Sequence, residues 1–112
     1  MKGNPAMLVK RSQGREWSPA GYDGGERSIL RISRSEGRTS IVRLKAGAQA
    51  PRHRHAAGED VLVLSGKIRI DEHELEAGDY LFTEAGEEHE LVALEDSLIY
   101  VATDKPVTVT GT

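Results

Sequence analysis

GAQAPRHRHAAGEDVLVLSG, residues 47–66, sets two histidines and a glutamate at a spacing suited to holding a metal ion. On an extended strand, residues i and i+2 point to the same face, so His53 and His55 project side by side. Glu59 is the candidate third ligand, and Ala56-Ala57-Gly58 is small and flexible enough to turn the chain between them. Beyond it, Val61-Leu62-Val63-Leu64 reads as a buried strand and Ser65-Gly66 as the next turn. His89 is a fourth candidate ligand further along.

Short apolar runs divided by glycine-bearing turns continue on both sides of this stretch. Strands are predicted at Ser28–Ser33, Thr39–Leu44, His53–His55, Glu59–Leu64, Lys67–Ile70, Tyr80–Thr83, His89–Leu94 and Leu98–Thr103. Glu36-Gly37, Ala46-Gly47, Ser65-Gly66, Ala77-Gly78 and Ala85-Gly86 put glycine where a tight reversal needs a backbone without a Cβ. About eight short strands, with no helical periodicity of useful length, describe an all-β sandwich or barrel. Asp71-Glu72-His73-Glu74 breaks the apolar alternation between Ile70 and Leu75. It is therefore predicted to be an exposed hairpin turn, with His73 solvated and not a ligand. Residues 105–110 alternate well enough for a last strand, which Pro106 keeps at a sheet edge.

At 112 residues the chain is sized for one domain, read as an N-terminal arm over 1–27 and a single folded domain over 28–112. Trp17, the only tryptophan, is predicted to anchor the arm by packing on the core. Without cysteine there is no thiolate site, so any metal is held by nitrogen and oxygen ligands. No apolar run is long enough to cross a membrane and the first residues lead into no signal-peptide core, so a cytoplasmic protein is expected. The net charge of −3 conceals a split: residues 1–56 carry 12 Lys+Arg against 4 Asp+Glu, and residues 57–112 carry 3 against 14. A basic half can mark a nucleic-acid surface, but the charges here alternate along strands, as in Arg27 to Ile32, with no interleaved aromatic residues. The split predicts basic strands paired with acidic ones, across a sheet or a dimer interface, and argues against nucleic acid as a partner.

Gly47, His53, His55, Glu59 and Gly66 complete the pattern G-x5-H-x-H-x3-E-x6-G, which is far more specific than a His-x-His pair. The segment resembles the first motif of the cupin superfamily. The second cupin motif, G-x5-P-x-G-x2-H-x3-N, is approximated by Gly78, Gly86 and His89, with Glu84 in place of the proline and Ala93 in place of the asparagine. The resemblance implies an all-β jelly-roll β-barrel, the double-stranded β-helix, in which His53, His55, Glu59 and His89 converge on one divalent metal. Independently, His89, Leu91 and Ala93 share one strand face, and the opposite set is also largely apolar, as for a barrel wall covered on its outside.

Trp17, Arg43, Gly47, His53, His55, Glu59, Val63, Leu64 and Gly66 carry a closer likeness to the ChrR-like cupins. These occur as the zinc-bearing C-terminal domain of some anti-sigma factors and as free-standing proteins, some similar to metal-dependent dioxygenases. The likeness implies either a dioxygenase-type oxidoreductase acting on a small organic substrate or a non-catalytic metal or ligand sensor. Isomerase, lyase and sugar-binding roles are also known among cupins. No helical sigma-binding segment is found in the sequence, which tips the expectation towards the enzyme. Octahedral Fe, Mn, Ni or Co keeps two positions open beside four protein ligands, whereas tetrahedral Zn keeps none. Cu also accepts histidine, so the ion stays open. The other reading of the cluster is a hydrogen-bonded polar cavity without metal. In the enzyme, Glu59 either remains a ligand or acts as base. Tyr80 or Phe82, whichever shares the inward parity, is expected on the pocket wall. Leu62 and Leu64, opposite Glu59 in parity, call for a cover from a second copy in a homodimer or from the arm.

Overall fold

The computed structural model describes residues 6–105 and the backbone of residues 108 and 109. These residues form β1 (Ser18–Pro19), β2 (Gly25–Ile32), β3 (Arg38–Leu44), β4 (Gln49–Arg54), β5 (Glu59–Ser65), β6 (Lys67–Ile70), β7 (His73–Glu76), β8 (Tyr80–Thr83), β9 (Glu88–Ala93), β10 (Ser97–Thr103) and β11 (Thr108–Val109), and no helix. One sheet is ordered β1-β2-β3-β10-β5-β8 and the other β11-β4-β9-β6-β7. Every pairing is antiparallel. From β3 onward the chain passes repeatedly from one sheet to the other, and this crossing makes the molecule a jelly roll of the cupin type.

Strict alternation fixes what lies between the sheets. Along β5, Glu59, Val61 and Val63 are buried while Leu62 is half-covered and Leu64 exposed. Along β9, His89, Leu91 and Ala93 are buried. Val42, Leu44 and Ile99 from the first sheet meet Ala50, Ile68 and Ile70 from the second to complete the apolar core. Gly66 joins β5 to β6 with φ +85°, and a Cβ there would collide with the Asp96 carbonyl and Ser97, so glycine is required twice over. At Glu36-Gly37 the positive φ belongs to Glu36, and Gly37 is small because it lies against the Thr103 and Asp104 backbone.

Several expectations need correction. The hairpin turn after β6 is shorter than predicted: Asp71 takes φ 49°, its carboxylate accepts from the Glu90 N–H at 3.1 Å, and His73 already opens β7 opposite Ile70. The charges of His73–Glu76 disguised a strand because β7 lies at a sheet edge, where charged side chains are normal. His73 itself is exposed. Trp17 is not in the core. It is half-buried on the outside of the first sheet, with the Arg43 guanidinium carbon 4.0 Å from its ring centroid and Arg43 Nε donating to Glu26 at 2.7 Å. β4 begins four residues before the predicted strand and ends at Arg54, and β2 begins at Gly25, inside the stretch read as the arm.

Two basic residues of β4 meet acidic residues of the second half of the chain, while the basic strands β2 and β3 pair with each other. Arg54 bonds Glu88 at 2.8 Å between β4 and β9, and Arg52 reaches Asp71 at 3.0 Å. β11 pairs with β4 at the edge of the second sheet, and Pro106, Val107 and Thr110 lie outside the described residues. Among the described residues no helix is long and apolar enough to cross a membrane.

Candidate metal centre

The end of β4, the start of β5 and the start of β9 meet at one end of the interior. His53 pairs directly with His89 across β4 and β9, and His55 follows immediately after β4. Glu59 opens β5 opposite Thr83 of β8. The ligand atoms of His53, His55, Glu59 and His89 all lie within 4.8 Å of one another. The three imidazole centroids are 4.4–4.7 Å apart. His55, Glu59 and His89 are 1%, 6% and 5% exposed, and His53 is half-buried.

The hydrogen bonds around the cluster orient it. His53 Nδ1 donates to the Pro51 carbonyl at 2.8 Å and His55 Nδ1 to the Glu87 carbonyl at 3.0 Å. A carbonyl can only accept, so in both rings the proton sits on Nδ1 and Nε2 is left for the centre. His89 Nδ1 is held by Thr83 Oγ1 at 3.1 Å. Glu59 Oε1 lies 3.0 Å from His55 Nε2 and 3.5 Å from His89 Nε2. Burial works against protonation of His55, but its bond to Glu59, that carboxylate's charge and the Glu87 carbonyl outweigh it and hold its pKa above the ordinary imidazole value. Burial carries His89 the other way, to about 4, against the pull of Glu59 and with His53 and His55 adding to the shift. Three Nε2 atoms aimed inward with their Nδ1 atoms engaged, plus one carboxylate, is a donor set that fits a divalent ion.

A family model described as the ChrR Cupin-like domain matches residues 5–108. The chain belongs to this family. The cupin is 33% identical over 99 residues to the DNA damage-repair/toleration protein DRT102 of Arabidopsis thaliana, a match covering 83% of the chain and 31% of that protein. It therefore spans about a third of the length of this curated relative. Among solved structures, it is similar to an acetylacetone dioxygenase from Acinetobacter johnsonii, with TM-score 0.85, 22% identity, and coverage of 100% of the cupin and 85% of that chain. It is also similar to a chain in the complex of Rhodobacter sphaeroides SigE with the anti-sigma ChrR, with TM-score 0.74, 28% identity, and coverage of 84% of the cupin and 52% of that chain.

Beside the cluster, the cupin holds a cavity of about 360 Å³ whose wall includes His53, Glu59 and His89. Val61, Leu91, Ile99 and Val101 make it largely apolar, and Tyr22, Arg27 and Arg38 add polar groups that sequence reasoning missed. Tyr80 and Phe82 are not on this wall. The register of β8 against β5 sets Leu81 beside Val61 and Thr83 beside Glu59, so Tyr80 and Phe82 point outward. There the Tyr80 hydroxyl donates to Asp60, and Phe82 packs over Gly58. The aromatic residue on the cavity is Tyr22, from the loop before β2, whose phenol is held protonated chiefly by burial. Arg27 Nε is buried without a hydrogen-bond partner, a condition that costs roughly 1–3 kcal/mol when nothing answers it.

Proposed function

We propose that this cupin binds one divalent metal ion through His53, His55, Glu59 and His89 and carries out dioxygenase-type oxidation of a small organic substrate held in the adjoining cavity. The observation that supports this reading is that His53, Glu59 and His89 belong both to the cluster and to the cavity wall. A molecule in the cavity thus reaches the open side of the centre, whereas four-ligand sites of the structural kind are closed. When bound, a redox-active divalent ion supplies Lewis acidity and the electron transfer that reaction of O₂ with an organic molecule requires.

The residues of the chain do the remaining work. The Pro51 and Glu87 carbonyls and Thr83 hold the three rings in the orientation that keeps Nε2 available. Glu59 Oε1, next to the cavity, either stays a ligand or accepts a proton from the substrate. Val61, Leu91, Ile99 and Val101 seat the carbon skeleton and keep water off it. In the same proposal, residues 1–27 form an arm whose last part, with Tyr22 and Arg27, finishes the cavity of the domain over 28–112. By that proposal the protein is cytoplasmic, an expectation that fractionation checks. It pairs as a homodimer through outer faces that expose Ile29 and Leu64, and sedimentation showing only a 12.2 kDa monomer at micromolar concentration excludes this.

The 28% likeness to the chain in the SigE–ChrR complex favours a second reading, a sensor in which the same four residues close around zinc. Two measurements decide. Elemental analysis of protein purified without chelator is expected to find about one ion per chain. It should be lost in His53→Ala and His89→Ala; undiminished metal in both variants removes the site. Oxygen uptake over a panel of diketones, phenols and small oxo-carboxylates after iron loading is expected for the enzyme. Zinc on four protein ligands with no uptake from any of them establishes the sensor instead.

A further inference from the structure

The structure assigns a chemical class to the molecule the cavity takes: we propose a small organic carboxylate whose anionic head is held by Arg27 and Arg38. This inference rests on the reading of the cavity as a substrate site.

The first observation is the state of the arginines. Arg43, Arg52 and Arg54 each have a carboxylate partner, at 2.7, 3.0 and 2.8 Å. Arg27 and Arg38, which line the cavity, have none among the described residues. An arginine keeps its charge in any protein environment, so these are two uncompensated cations on one wall. Glu59 does not neutralise them, because its carboxylate is engaged with His55 and His89. Arg27 Nε is also buried without a hydrogen-bond partner, and buried N–H groups in folded proteins are nearly always answered. A carboxylate in the cavity offers paired acceptors in the geometry that a guanidinium fork matches.

The second observation is position. Arg38 pairs with Thr103, and Thr103 pairs with Glu59, so all three lie on one row across the first sheet. Strands are about 4.8 Å apart, which sets the backbone of Arg38 about 10 Å from that of Glu59. A short molecule can span that interval with its head at Arg38 and another oxygen at the histidine end, while Arg27 lines the same cavity from its position opposite Val42, four residues along β3. Tyr22 lines the same cavity as Arg27 and Glu59 and brings an O–H donor to it. The cavity of about 360 Å³ is the liquid volume of about a dozen waters, and its aliphatic lining suits a short carbon chain. Two arginines and a divalent ion against one glutamate leave the site net positive, which draws anions in.

The test uses the metal-loaded protein and two probes with equal numbers of heavy atoms: 4-oxopentanoate, and 2,5-hexanedione, in which a neutral acetyl group replaces the carboxylate. Binding is followed by calorimetry or NMR titration. The wild type is expected to bind 4-oxopentanoate at least about tenfold more tightly than the dione. Arg27→Gln and Arg38→Gln should each remove most of that preference by weakening 4-oxopentanoate far more than the dione, and Arg38→Lys should restore part of it. Equal binding of the two probes by the wild type, no saturation by 4-oxopentanoate at millimolar concentration, or full preference in both glutamine variants overturns the proposal. Metal content is measured on the same samples. A preference abolished by Arg→Gln in protein that holds no metal upholds the carboxylate site and removes the metal reading; bound metal with no preference does the reverse.

Discussion

The two ends of the cupin interior are built on the same strands and have opposite character. Along β5 the inward positions run from Glu59 to Val61 to Val63, and along β9 from His89 to Leu91 to Ala93. At one end Leu44, Val63, Ile68, Ala93 and Ile99 close an apolar core; at the other His53, His55, Glu59 and His89 gather around a point that adjoins a cavity. The same alternation that buries valine buries the candidate ligands, so apolar core and candidate site are divided along the strands and not between separate layers. Changes at the apolar end should therefore cost folding energy, and changes at the histidine end should cost metal affinity.

The largest effect is expected for Ile68→Ala, which empties a fully buried position at the apolar end. It should lower unfolding free energy by about 2–5 kcal/mol in denaturant titration, with metal still bound by the folded fraction. A loss under about 1 kcal/mol would break the contrast. Thr83→Val makes the opposite test. It keeps the shape of the side chain but removes the hydroxyl beside His89 Nδ1, and metal affinity should fall roughly 10–100-fold in competition with a chelator. Unchanged affinity would show that Thr83 does not orient the ring.

The pH dependence separates the two ends further. In the ion-free protein His55 has a raised pKa, so its pairing with Glu59 contributes stability that is complete below about 6.5 and is lost as the pH rises through the folded value. His89, lowered to about 4, acts in the opposite sense: as pH falls from the ordinary imidazole value, the unfolded chain takes a proton that the folded chain refuses. Metal binding must displace the His55 proton. Calorimetry at about pH 6 in buffers of different ionisation enthalpy should thus show proton release on metal binding, with none of it from His89. No release would remove His55 from the ligand set. The smallest effect belongs to the surface pair one residue from the cluster: Glu88→Gln breaks the 2.8 Å contact with Arg54, yet both side chains are substantially exposed, and the loss should stay below about 1 kcal/mol.

The gathering of His53, His55, Glu59 and His89 was legible in the sequence because these residues obey local rules. His53 and His55 are two residues apart, and the alternation of β5 and β9 carries Glu59 and His89 to the buried face without knowledge of any partner strand. What failed needed pairing information. Tyr80 and Phe82 could be assigned a face only from the register of β8 on β5, and that register also hid Thr83. Arg27 and Tyr22 lay in a stretch whose glycines and charges read as a loose arm, although β2 starts at Gly25 and sets them on the cavity. Arg38 was missed because the predicted strand began at Thr39, whereas β3 begins at Arg38, which shares the inward parity of Ser40, Val42 and Leu44. Trp17 was expected to pack on the core for its size, and its actual partner, Arg43, is distant in sequence.

Anomalous diffraction from crystals of protein purified without chelator tests the central claim most directly. A single peak is predicted, about 2.0–2.3 Å from Nε2 of His53, His55 and His89 and from a carboxylate oxygen of Glu59. A map with no peak at this cluster, or with its peak at His73 on the exposed edge of β7, would contradict it.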